Sequence, residues 1–240
     1  MGRLVSWLGR AVRQGYGASL QRSKAAALIL IAAPTLAWAE PVQIVALGDS
    51  LTAGYGLQRD KGFVPRLQAW LDARGAEAEV VNAGVSGDTT AGGLARAEWS
   101  LGDKADAMIL ALGGNDLLRG IDPAVTRENL RQILQIAEAK GVEVMLVGLQ
   151  SSGNYGAAYK QEFDAIYPDL SEEFGTLYES NWFRALANDG QGMIDQKWMQ
   201  GDGIHPNGRG VERIVEQLGP TVLDLVERAQ ADATTRAQAD

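Results

Sequence analysis

The 240-residue chain carries 22 basic and 30 acidic residues, a formal net charge of −8, one histidine and no cysteine. That balance argues against nucleic acid and against anionic lipid as partners. Without cysteine there are no disulfides and no lipid attached through a thiol, and one histidine leaves too few ligands for an ordinary zinc site; neither a metal nor a cofactor is expected.

Residues 1 to 24 contain Arg3, Arg10, Arg13, Arg22 and Lys24 and no acid. An apolar run, Ala25 to Ala33, leads through Pro34-Thr35-Leu36 to Ala37-Trp38-Ala39. Basic, apolar, then small-x-small is the plan of a secretory signal peptide, with cleavage expected after Ala39. The apolar run is shorter than the ~20 residues of a membrane span, so no stable insertion is expected after cleavage. Removing five basic residues leaves 17 against 30 acids, a charge of −13. The expected product is an exported, monomeric single domain over 40–228, followed by a small, polar tail, 229–240, that reads as disordered.

Val42 to Leu47 is an apolar, β-branched run that reads as a buried parallel strand, stopping at Gly48-Asp49-Ser50. Lys61 to Arg74 places Phe63, Val64, Leu67, Trp70 and Leu71 on one helical face. Val80-Val81 reads as a short strand running into the polar tip Asn82 to Thr90, and a helix with Leu94 and Trp99 follows. Ala107 to Leu112 is a third strand, ending in Gly113-Gly114-Asn115-Asp116. Asp122-Pro123 opens a long helix to Lys140, closed by Gly141. Val142 to Leu149 is a fourth strand. Ala157 to Glu173 reads as helix interrupted near Pro168, and Thr176 to Tyr178 as a short fifth strand. Asn181 to Met199 is irregular, with Trp182, Phe183 and Trp198 as anchors. A last helix carries Val211, Ile214, Val215 and Leu218, with a kink expected at Pro220. Strands alternating with helices predict a mostly parallel five-stranded sheet covered on both faces, with the tips holding Ser50, Gly84 and Asn115 along one edge.

His205 is the only imidazole, so it is the only candidate for an imidazole base. Asp202 precedes it by three residues on a Gly- and Pro-containing turn, where a carboxylate can hold Nδ1 and leave Nε2 free. Serine needs an adjacent base to become a nucleophile. Ser50, His205 and Asp202 supply those three roles. The backbone N–H groups of Ser50 and Gly84 and the amide of Asn115 supply donors for a tetrahedral oxyanion. Taken singly, each has a simpler account: a helix cap for Ser50, a turn for Gly84, a cap for Asn115, a surface turn for His205. Their convergence on one sheet edge is not explained by coincidence. Asp49 and Asp116 read as structural carboxylates bonded to loop or helix N–H groups, and Thr89 and Thr90 as helix caps. Leu117, Leu118, Ile121, Tyr155 and Ile204 are candidates for an acyl groove.

Four blocks carry a resemblance: Gly48-Asp49-Ser50-Leu51, Gly84 in Asn-Ala-Gly-Val-Ser-Gly-Asp-Thr, Gly113-Gly114-Asn115-Asp116, and Asp202-Gly203-Ile204-His205-Pro206-Asn207. In order and spacing they resemble the SGNH, or GDSL, hydrolases. Within that superfamily the chain looks most like the bacterial periplasmic thioesterase I, lysophospholipase and arylesterase group. Asn154-Tyr155-Gly156, Phe163, Ile166-Tyr167-Pro168 and Trp198-Met199-Gln200 share in that likeness. The resemblance implies a flavodoxin-like three-layer α/β/α sandwich. It implies Ser50 as nucleophile with Asp202 and His205 as partners, Ser50, Gly84 and Asn115 as oxyanion donors, and small-molecule acyl esters or thioesters as substrates. One departure is that Gln150 to Gly153, which borders the acyl pocket in the family, has no proline before Asn154. Two other readings stand beside this one: an acetyl-specific esterase of envelope polysaccharide, and a non-catalytic envelope-binding module on the same fold.

Overall fold

A computed structural model describes residues 40–187 and 193–239. The expected signal segment, 1–39, lies outside the described residues. From Val42 onward the chain alternates strand and helix: β1 (Val42–Gly48), α1 (Ser50–Ala53), α2 (Phe63–Asp72), β2 (Ala78–Gly84), α3 (Thr90–Leu101), β3 (Ala107–Ala111), α4 (Gly114–Leu118), α5 (Pro123–Lys140), β4 (Glu143–Val147), α6 (Ala157–Asp164), α7 (Ile166–Phe174), β5 (Leu177–Glu179) and α8 (Gly208–Ala239). The five strands form one sheet in the order β2-β1-β3-β4-β5. Every pairing is parallel, so the sheet is wholly rather than mostly parallel.

Parallel strands need crossovers, and right-handed crossovers place the helices on both faces. Here α2 packs against α8 on one face, and α3 packs against α5, which meets α6 and α7, on the other. β3 is buried at every position, and β1 at all but Gln43. This explains why both strands read as continuous apolar runs rather than alternating ones. Ile44, Leu47, Met108, Ile109, Leu110, Met145 and Leu146 are each at most 1% exposed and form the centre of the core. Among the described residues the sheet and core lie within one compact unit, Ala39–Asp240.

The chain winds outward in opposite directions from β1 and β3, so their carboxyl ends flank the crevice where open α/β sheets bind ligands. Ser50 follows β1 and Asn115 follows β3. Gly84 ends β2 in register with Gly48. A Cβ on Gly84 would run into the backbone of Thr52 and Ala53, so glycine lets β2 approach α1.

Two sequence expectations differ from the structure. The break in the helical stretch Ala157 to Glu173 falls at Ala165, and Pro168 sits in the first turn of α7. The first-turn N–H has no intrahelical partner to lose, so proline is tolerated there. Pro220 lies inside α8 without ending it. The helix runs on to Ala239, through the segment expected to be disordered; Ala229 is buried and Arg236 donates to Gly141 O at 2.8 Å. Trp198 and Phe183 pack against the core from partly exposed positions, whereas Trp182 is fully buried against Phe63, 4.7 Å between ring centroids.

Candidate active site

Asp49 is the N-cap of α1, its Oδ1 accepting the Leu51 N–H at 3.0 Å. This fixes Ser50 as the first helical residue, whose own N–H has no intrahelical acceptor. The turn that delivers His205 is built by Asp202 itself, whose Oδ1 accepts the N–H groups of both Ile204 and His205 at 3.0 Å. The other carboxylate oxygen lies 2.6 Å from His205 Nδ1. His205 Nε2 lies 2.9 Å from Ser50 Oγ, across 155 residues of sequence. The single imidazole therefore bridges a carboxylate and a hydroxyl. Those three hydrogen bonds hold the Asp202 carboxyl down to about 2, the imidazole bond contributing most.

Asn115 enters the site from the first turn of α4, where Gly113 takes φ 114, a left-handed conformation favoured by glycine. Its Nδ2 donates to Asp49 Oδ2 at 3.3 Å, leaving the second amide hydrogen for another acceptor. Burial pushes the Asp49 carboxyl up to about 6, against the lowering effect of the Leu51 N–H. The Gly84 N–H is engaged differently from expectation: it donates to Asn82 Oδ1 at 2.9 Å. Gly84 could therefore donate to a further acceptor only by sharing that hydrogen or by releasing Asn82. Asp116 is structural, accepting from Thr90 N at 2.8 Å, Thr90 Oγ1 at 2.5 Å and Thr126 Oγ1 at 3.3 Å. Thr89 caps α3.

Ser50, Asn115 and His205 open into a cavity of about 610 Å³. Leu117, Leu118 and Ile204 line it with Leu149, Phe183 and Met199 as its apolar wall. Tyr155 does not line it; its hydroxyl donates to Leu118 O at 3.0 Å and so braces the wall from outside. Ile121 also lies off the cavity, its carbonyl accepting from Tyr159 Oη at 2.8 Å. The proline-free segment Gln150–Gly153 is held by a charge pair instead: Asp164 accepts Ser151 N–H at 2.7 Å, and Lys160 donates to Ser151 O at 2.6 Å and to Asp164. A larger groove of about 890 Å³, between Arg184, Trp198 and α8, contains neither serine nor histidine, so volume alone does not locate the chemistry. Among the described residues no cluster of three or more His, Asp or Glu is placed to hold a metal ion.

Three residues at this edge had no assigned role in the sequence reading. Arg96 donates to Gly48 O at 2.9 Å, to Ala83 O at 2.7 Å and to Asp88 at 2.8 Å, tying together the ends of β1 and β2. Gln200 donates to Tyr55 O at 2.8 Å and Pro206 O at 3.0 Å, joining the serine segment to the histidine turn. Tyr55 lays its ring 4.7 Å from the imidazole, centroid to centroid. Arg96 and Gln200 act on backbone carbonyls, which leave no pattern in side-chain identity.

The model of the GDSL-like lipase/acylhydrolase family matches residues 46–213, most of the described body. The chain belongs to that family. Among curated members it is 38% identical over 184 residues to "Esterase TesA" of Pseudomonas aeruginosa, covering 76% of this chain and 89% of that one. It is 39% identical over 184 residues to "Thioesterase 1/protease 1/lysophospholipase L1" of Escherichia coli K12, covering 76% of this chain and 84% of that one. Among solved members, the SGNH-hydrolase family esterase AlinE4 superposes with a TM-score of 0.63 at 40% identity, over 77% of this chain and 96% of that one. The family match spans all four sequence blocks, from Gly48 to Asn207.

Proposed function

We propose that this family member is an exported serine hydrolase that cleaves carboxylic esters and thioesters through an acyl-enzyme on Ser50. The observation that carries the reading is the continuous chain Ser50 Oγ, His205 Nε2, His205 Nδ1, Asp202 Oδ2, with links of 2.9 and 2.6 Å. Asp202, a carboxylate at every pH near neutrality, keeps the proton on Nδ1 and leaves Nε2 as the acceptor for the serine proton. Ser50 Oγ then attacks the acyl carbon as His205 takes that proton. The carbonyl oxygen becomes an oxyanion, bound by the N–H of Ser50, the free hydrogen of Asn115 Nδ2 and a shared Gly84 N–H. His205 returns the proton to the leaving alcohol or thiol as the carbon–oxygen or carbon–sulfur bond breaks. Water, deprotonated by the same imidazole, repeats the attack and releases the acid.

The apolar cavity favours acyl chains longer than acetyl, since it offers far more lining than one methyl group can cover. Esterase, thioesterase and lysophospholipase in the names of the relatives agree with that breadth. The basic, apolar, small-x-small order of residues 1–39 supports export to the periplasm. Among the described residues no helix is long and apolar enough to cross a membrane.

The test is Ser50→Ala together with an active-site-directed alkyl phosphonate. The wild-type chain is expected to gain one phosphonyl group by mass at Ser50 and lose all turnover; Ser50→Ala is expected to fold, gain no label and turn over no ester. Labelling elsewhere, or full activity in Ser50→Ala, would refute the assignment.

A further inference from the structure

Among the described residues eight large apolar side chains are exposed; three of them line one opening and three more adjoin its lining residues. Tyr55, Leu118 and Ile204 line the active-site cavity at its mouth, 46–59% exposed. Val85, 47% exposed, precedes the lining residue Ser86; Met193, 61% exposed, precedes the lining residue Ile194. Tyr155, 49% exposed, is bonded to Leu118 O. Only Trp99 and Val125 lie elsewhere, on α3 and α5. Scattered apolar side chains are ordinary on a protein surface, but six of eight at or beside one cavity's lining are not scattered.

We propose that this apolar group seats the enzyme on the surface of aggregated, zwitterionic acyl lipid, a micelle or a neutral bilayer leaflet. The inference rests on the hydrolase reading and names the physical state of its substrate. A long acyl chain drawn through water loses the hydrophobic stabilisation of its aggregate before it regains any in the cavity. With the apolar group pressed against the aggregate, the chain passes from one apolar medium into another and the ester reaches Ser50 without crossing water. The charge of the body from Glu40 onward, 17 basic against 30 acidic residues, repels an anionic leaflet and equally an acidic carrier protein. A zwitterionic surface carries no net charge to oppose it, and contact depends on the apolar group alone.

Val85 and Met193 allow a clean test, because neither lines the cavity and the Val85 N–H bond to Gly48 O involves only backbone. The double variant Val85→Ser/Met193→Ser is made in the compact unit Ala39–Asp240, with Trp99→Ser as a control that removes an exposed apolar group away from the mouth. Three measurements are taken: flotation with phosphatidylcholine vesicles, hydrolysis of lysophosphatidylcholine above its critical micelle concentration, and hydrolysis of dissolved p-nitrophenyl acetate. The double variant is expected to lose vesicle affinity and micellar turnover by on the order of tenfold, the effect of no longer burying two aliphatic side chains. Turnover of the dissolved ester stays unchanged, and Trp99→Ser matches wild type throughout. Wild-type protein that does not float, a double variant that floats equally well, or a Trp99→Ser variant that loses as much would overturn the proposal. Stronger flotation with phosphatidylglycerol vesicles would also overturn it, by showing that charge governs docking. Wild-type self-association abolished by the double variant would assign the face to a second copy instead. Failure of the hydrolase reading is read separately, as absence of wild-type turnover on the dissolved ester.

Discussion

Asp49 Oδ2 lies 3.3 Å from Asn115 Nδ2, so the residue before the serine orients the amide that faces it. Burial raises the Asp49 carboxyl from 3.8 to about 6. The native state thus favours the protonated acid. The stability this group lends is fully present below about pH 3.8 and is lost as pH rises through about 6, a difference on the order of 3 kcal/mol. Asp49→Asn is therefore expected to be more stable than wild type at pH 8, with the gap closing at pH 4, as urea denaturation at the two pH values would measure. The same variant is expected to be slower. Its amide can keep the Leu51 bond through oxygen, but it then sets NH₂ against the NH₂ of Asn115. A loss in kcat of about tenfold is expected, smaller than the ~10² of Asn115→Ala, which removes the donor itself. Unchanged kcat in Asp49→Asn would show that Asn115 holds its orientation unaided.

Arg96 joins the ends of β1 and β2 through two carbonyls and Asp88, with its side chain only 19% exposed. Arg96→Met removes the guanidinium bonds to both carbonyls, leaving Gly48 O with the Val85 N–H, and leaves the Asp88 carboxylate without its cation, an expected loss of about 2–3 kcal/mol by urea denaturation. Arg96→Lys should recover little of it, because one ammonium cannot reproduce a fork that spans two strands. Full stability in the lysine variant would show that charge, not the fork, matters here.

Asp202 is held at about 2, well below its unfolded value. A depressed carboxyl contributes stability that is present above about pH 3.8 and lost only as pH falls through about 2. From pH 4 to 8 it stays ionised, so Asp202 causes no change in activity across that range. Asp202→Asn should lower kcat roughly 10²-fold or more at every pH in that range, with KM little altered, because the imidazole loses the partner that fixes its tautomer. A deficit that vanished at one end of the range would contradict a permanently charged Asp202.

The fold was legible where burial wrote a long apolar run, as in β1 and β3, and where both ends of a helix carried their signals, as in α5. The end of α8 was not, for a physical reason: Ala229 to Ala239 has no sustained apolar stripe, yet Ala, Gln and Arg extend an existing helix without a new nucleation step. Ser50, His205 and Asp202 were legible because their chemistry demands particular side chains and because the chain offers one imidazole. Asn82, Arg96 and Gln200 were not, since their partners are backbone atoms that any sequence supplies. Tyr155 was a groove candidate as a large residue near the active edge, with a surface-cover reading beside it; its hydroxyl bond to Leu118 O ties it to the lining without placing it there.

Tyr55 offers the sharpest separation of binding from chemistry at this site. Its ring lies 4.7 Å from the imidazole, tilted by 40°, within the range where an aromatic face attracts a cation. In the proposed cycle His205 becomes an imidazolium only as Ser50 attacks. The attraction is then stronger in the transition state than in the ground state, which raises kcat rather than lowering KM. An exposed contact of this kind is worth about 0.5–1 kcal/mol, a factor of roughly two to five in rate. Tyr55→Leu is expected to lower kcat on a dissolved ester by that factor with KM held, while Tyr55→Phe, which keeps the ring and drops the hydroxyl, stays near wild type. A rise in KM with kcat unchanged in Tyr55→Leu would make Tyr55 a substrate contact. A loss in Tyr55→Phe equal to that in Tyr55→Leu would give the role to the hydroxyl instead of the ring.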